Sequence, residues 1–252
     1  MTGSNNSSPQ KEIGVEDFPI WLLGDSPSDS PSAKDQNLTP LDPRHPTRHS
    51  IWTPIQDVIQ RQLFEGGRRL DDRQLYIRNA VTNSNYKLKT PKKPENTTDF
   101  QKNQAVYEDQ QVKEMRELQE LPNRPTKPLL VLCFGLFAFE FARRAQEDKI
   151  EVLRPKDWDK KQGILKLSMK FDENIEKVKL GNMTLLPLLH ASSAVSFQFA
   201  SRDFSGHGGN YFEYVGEKIA DVLIKKVLRA NRADDKLDKL WVKTEWKSVA
   251  SE

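Results

Sequence analysis

Four short stretches of this 252-residue chain end in side chains able to do chemistry. Gly24-Asp25-Ser26-Pro27 places a carboxylate and a hydroxyl on a run of turn-forming residues. Arg78-Asn79 supplies a carboxamide, which donates and accepts hydrogen bonds at once. Gly135 closes an apolar run, and His190-Ala191-Ser192-Ser193 follows another with an imidazole and two hydroxyls. An imidazole and a carboxylate are a common pair for moving protons or offsetting developing charge. A carboxamide beside them suits the edge of a planar polar ligand. His45 and His49 flank Pro46-Thr47-Arg48 with no third ligand at metal spacing, so no metal site is expected. The lone Cys133 excludes an internal disulfide and any multi-cysteine cluster, and no cofactor is expected.

The elements that position these residues are legible as apolar runs. Residues 18–23, 75–77, 129–134 and 184–189 read as four buried strands, each ending in one of the four signals. Helical spacing follows them. Ile55, Val58, Ile59 and Leu63 form one stripe, with Thr53 as N-cap, Pro54 in the first turn and Gly66-Gly67 as the stop. A polar helix is expected over residues 104–121, another over 137–145, and a clear amphipathic one from Phe212 to Val227. This alternation predicts an α/β fold: a central, mostly parallel sheet of about four strands, flanked by helices in three layers. In such a sheet all four strand ends lie on one edge, the edge where open α/β sheets collect ligands.

Around that domain, expected over residues 18–228, lie a polar, disordered start (1–17) and a charged tail (229–252). Long loops are expected at 28–50 and 81–100, and a charged insertion or variable crossover at 146–181. The tail carries Leu237, Leu240, Trp241 and Trp246, so part of it is expected to dock. The start shows no secretory pattern, and no apolar run is long enough to span a bilayer; a cytoplasmic, monomeric protein without membrane contact is expected. Between Arg44 and Lys93 eleven Lys/Arg stand against four Asp/Glu, which reads either as a solvated surface or as an approach for a polyanion.

Taken together, the four signals and their order resemble the uracil-DNA glycosylase superfamily. In that family one strand ends in a G-x-x-P turn, a second in an asparagine that reads the base, and a later one in H-P-S. Gly24-Asp25-Ser26-Pro27, residues 75–79 and His190-Ala191-Ser192 take those places, and residues 128–135 resemble the family's central strand and glycine turn. The resemblance implies recognition, and excision by N-glycosidic hydrolysis, of a deaminated or damaged base in DNA, with no cofactor. It implies Asp25 and His190 as catalytic residues, and Gly24, Ser26, Pro27, Trp52 and Asn79 as base-binding residues, with Trp52 or a nearby aromatic stacking on the flipped base; by its residue type alone, Trp52 also reads as a core aromatic. Arg44, Arg48, Ser192, Ser193, Phe197 and Arg202 would contact DNA, with Phe197 or Phe199 filling the gap in the duplex. The chain departs from the pattern at Ser26, where the family often holds an acid or amide, and at Ala191, where it holds proline. Two alternatives stay open. One is the same fold binding nucleic acid or a nucleotide without cutting it. The other is a GDSL-type ester hydrolase with Ser26 as nucleophile, whose Asp/His partners would be Asp203 and His207 or Asp42 and His45.

Overall fold

Residues along each central strand alternate between two cores, the period-2 consequence of a pleated backbone. The computed structural model describes residues 12–27, 39–121, 128–158, 163–190, 204, 210–228 and 235–243. In β2 (Ile20–Gly24), Ile20 and Leu22 enter one core while Trp21 and Leu23 enter the other. β4 (Leu130–Phe134) repeats the pattern, with Leu130, Leu132 and Phe134 on the first side and Val131 and Cys133 on the second. Both strands are buried along their whole length, as their unbroken apolar sequences require.

The fold is mixed α/β, with a five-strand, mostly parallel sheet between helices on both faces. β3 (Tyr76–Asn79), β2, β4 and β5 (Thr184–Leu188) run parallel in that spatial order. β1 (Glu12–Ile13) adds an antiparallel edge on β3, pairing Glu12 with Arg78 and Ile13 with Ile77. On the first face lie α1 (Pro46–Ile51), α2 (Thr53–Glu65), α6 (Gly163–Glu176) and α7 (Tyr211–Val222). On the second face lie α3 (Pro94–Glu120), α4 (Leu136–Gln146) and α5 (Pro155–Trp158). Pro187 is tolerated inside β5 because β5 is the sheet's outer strand. Asn174 of α6 donates to the Leu185 carbonyl at 2.8 Å, so a side chain satisfies part of that edge.

Several expectations need correction. The four expected parallel strands are joined by a fifth, antiparallel one, because Glu12 and Ile13 of the expected tail pair with β3. The loop expected at 28–50 contains α1, capped by His45, whose Nδ1 accepts from the Thr47 amide at 3.1 Å. The loop expected at 81–100 is cut short, because α3 starts at Pro94, a favourable first-turn proline, ten residues before the expected start. The charged segment 146–181 is no mere insertion: Leu167, Phe171 and Ile175 of α6 and the following Val178 are buried in the first core. The expected docking of the tail is seen at Leu240 and Trp241. Both are buried, Asp71 N donates to the Leu240 carbonyl at 2.8 Å, and Val242 N donates to the Arg69 carbonyl at 2.9 Å. Among the described residues, no helix is long and apolar enough to cross a membrane.

Candidate functional site

Parallel pairing brings the strand ends together. Gly24 stands opposite Asn79 and Phe134 opposite Leu188, so the residues after β2, β3, β4 and β5 share one edge of the sheet. At that edge His190 Nε2 lies 3.5 Å from Asp25 Oδ2. The Asp25 side chain is 7% exposed and that of His190 is 41% exposed, so a buried carboxylate backs an imidazole open to solvent. The separation suits an ion pair and sits at the limit of a hydrogen bond.

Two further groups hold Asp25. Lys87 Nζ lies 3.0 Å from the same Oδ2. Oδ1 accepts from the Ala138 amide at 3.3 Å, in the first turn of α4. Gly135, the N-cap residue of α4, has no side chain to offer, and Asp25 supplies the missing acceptor from across the sheet. Asp25 thus serves both as a helix cap and as the partner of His190.

Gly135 explains how the two approach. Its φ of +106° is reached easily only by glycine. A β-carbon there would lie 2.9 Å from Asp25 Oδ1 and 3.2 Å from two carbons of His190. The β4–α4 turn therefore forms the floor beneath both side chains. From the other side, the Leu189 amide donates to the Tyr211 hydroxyl at 3.0 Å, anchoring the backbone just before His190. Burial pushes the Tyr211 phenol above its usual value, and it stays protonated at neutral pH.

Asn79 is 5% exposed, and its Oδ1 has no hydrogen-bond partner among the described residues. That oxygen lies 2.5 Å from where a β-carbon on Gly24 would stand, so Gly24 leaves room for it. Beside it, the fully buried Arg78 donates from Nε to the Asn79 carbonyl at 3.2 Å and faces Glu114, Nη2 to Oε2, at 3.8 Å. Glu114 also accepts from the Thr82 amide, at 3.2 Å, and from the Thr82 hydroxyl. A buried polar chain thereby fixes the end of β3.

The other expected site residues divide into four groups. Ser26 lies on the wall of a neighbouring groove, and Pro27 follows it, half-buried. The stacking role of Trp52 and the DNA contact of Arg48 require correction, while the core reading of Trp52 holds. Trp52 is fully buried, edge-on to Phe134 at 6.4 Å, and offers no exposed face for a base. Arg48 is buried and donates to the Leu41 carbonyl at 3.0 Å, which ties down the segment before α1 rather than reaching a ligand. Arg44 is exposed and paired with Asp42 at 2.8 Å. Ser192, Ser193, Phe197, Phe199 and Arg202, together with Asp203 and His207, lie outside the described residues. For the ester-hydrolase alternative, Asp42 is engaged with Arg44 and His45 with the cap of α1.

Lys87, Tyr211 and the Ala138 amide are the site groups that sequence reasoning missed. Lys87 sits in the aperiodic stretch after β3, and its only advance signal is the local excess of lysine. Cys133 is buried beneath Asp25; burial first, and then the carboxylate's charge, push its thiol far above the usual range, so it is no nucleophile. Among the described residues no cluster of potential metal ligands occurs. No known family model matches the chain, and a search of curated proteins finds no match.

Proposed function

We propose that this chain is a uracil-DNA glycosylase-like protein that receives a deaminated or damaged DNA base at the carboxyl edge of its sheet and hydrolyses the N-glycosidic bond. The observation that carries this reading is the Asp25–His190 pair at 3.5 Å, set beside Asn79. In the reaction the C1′–N bond breaks and its electron pair leaves with the base. Water adds to C1′ and loses a proton to Asp25 or to solvent. His190, the solvent-open member, donates to the base oxygen where negative charge collects, an interaction whose loss typically costs about 3 kcal/mol of transition-state stabilisation. Asp25 orients the water and offsets the sugar cation, and Asn79 reads the polar edge of the base.

One observation favours a second reading. Lys87 and the Ala138 amide engage both oxygens of Asp25, as expected of a carboxylate that organises a binding site without activating water. The test is base release from single-stranded and mismatched oligonucleotides carrying uracil, hypoxanthine or xanthine. Release should fall about 100-fold or more in His190→Ala, the scale of a lost charge-stabilising donor. No release of any of these bases, with His190-dependent binding retained, supports the binding module and overturns excision.

A further inference from the structure

Beside the Asp25 site the surface folds into a groove of about 820 Å³. This is within the roughly 300–1,000 Å³ usual for ligand sites. Lys87, Lys89, Lys92 and Lys93 line it, and residues 81–94 contain these four lysines and no carboxylate. Lys87 joins the groove to the site, because the same ammonium pairs with Asp25 at 3.0 Å. The chain is held there by Leu88, which is 7% exposed and adopts a left-handed φ of +58°. That conformation is unfavourable for a branched side chain and marks a tightly specified turn. Lys89 is steered over the Trp158 ring, 4.5 Å from its centroid.

Two other features complete the groove. The first turn of α3, a 27-residue helix with no side-chain cap bond, forms one end through Lys93 and Asn96. It adds the positive end of the helix dipole to the lysine charge. Half-buried Tyr107 supplies the aromatic wall, backed by buried Phe100 with ring centroids 5.6 Å apart. The nearby carboxylates, Asp25 on Lys87, Glu95 in the first turn of α3 and Asp99 on the lining, still leave an excess of positive charge over the four lysines.

We propose that this groove binds the phosphate backbone of single-stranded DNA and leads it to the Asp25–His190 site. Lysines and a helix N-terminus recognise phosphodiesters, and an aromatic wall in a concave groove stacks unpaired bases. The choice of DNA rests on the function proposed above; the phosphate groove itself rests on its own geometry. The test therefore uses an undamaged thymine-only single strand, which offers no base to excise. Fluorescence anisotropy measures its affinity across a salt series for the native chain, Lys89→Gln/Lys92→Gln/Lys93→Gln, Tyr107→Ala, and, as a distant control, Lys225→Gln in the π-helical turn (Leu223–Val227) that follows α7. The triple variant should flatten the slope of log K against log salt by roughly 0.7 per lysine, about 2 in all. Tyr107→Ala should weaken binding at least about five-fold with little change in slope, and Lys225→Gln should match the native chain. Circular dichroism and thermal unfolding matched to the native chain confirm that the variants are folded. A native slope in the triple variant, or no oligonucleotide binding by the native chain at low salt, overturns the groove assignment. Inorganic polyphosphate or an RNA strand binding as tightly as the DNA, with no effect of Tyr107→Ala, overturns the DNA assignment. Failure of base release in the earlier assay leaves these readouts unchanged and sinks excision alone.

Discussion

Asp25 and Arg78 carry the clearest consequences at the scale of single residues, because both are charged groups taken out of water. Buried charges persist when partners satisfy them, and removing one partner costs more than the pair contributes. Arg78, 2% exposed, meets Glu114 and the Asn79 carbonyl. Arg78→Met should therefore destabilise the protein by about 3–5 kcal/mol, since it removes the buried cation that faces Glu114. Adding Glu114→Gln removes the Glu114 charge while keeping an acceptor for Thr82, so the double variant should recover part of the loss. Urea unfolding of the two single variants and the double variant measures this, and strictly additive losses would refute the coupling. The same logic explains Trp52. An aromatic residue before a helix looks available to a ligand in the sequence, yet its large apolar surface is better buried against Phe134.

Among the elements, the β4–α4 turn has the most influence on the site. It offers a free helix N-terminus to Asp25, and its glycine leaves the space in which Asp25 and His190 meet. Gly135→Ala should destabilise the protein by about 1–3 kcal/mol through the positive φ alone. It should also drive Asp25 and His190 apart and abolish ligand binding even under conditions where the variant stays folded. Thermal unfolding together with titration of a base-containing oligonucleotide checks both effects; native affinity in the variant would show that the turn does not set the geometry. Helix packing sets a similar constraint at Gly216 of α7, where a β-carbon would fall 2.6 Å from Val58 Cβ of α2. That close approach is the physical reason for a glycine inside an otherwise good helix.

For the whole molecule, stability should depend on acid through two aspartates away from the site. Asp71 is held below its ordinary value, chiefly by the Arg73 hydrogen bond, next to the strip where the C-terminal segment docks. At Asp42 burial opposes ionisation, but the hydrogen bonds and charge of Arg44, with the charge of Arg48, outweigh it, and its pKa is lowered too. A lowered folded value means that each group's stabilisation is complete above its unfolded value, 3.8 for both. The stabilisation is lost as pH falls through the lowered folded values. The stability difference between the native chain and Asp42→Asn/Asp71→Asn should therefore be steady near neutrality and shrink toward zero below about pH 4. Urea unfolding across pH measures it, and a difference that stays constant into acid would exclude these aspartates as its source.

Much of this organisation was readable from residue order. The four central strands showed as apolar runs, because strands buried on both faces need no polar residues. Their polar ends marked the edge where Asp25, Asn79 and His190 were expected to gather, and parallel pairing follows from alternation with helices. α6 was harder to see, since charged residues on its outer side dilute the apolar spacing of Leu167, Phe171 and Ile175. β1 was invisible because two residues in a polar segment carry no periodicity, and only a waiting edge on β3 makes them a strand. Tertiary structure alone decided what surrounds Asp25. Lys87 is 62 residues away and the Ala138 amide 113, and no local pattern encodes a pairing across such distances. Residue order sets which residues end the strands; the packed sheet places His190 open to solvent beside a carboxylate already held by a lysine and a helix, because that depends on which loops fold over the edge.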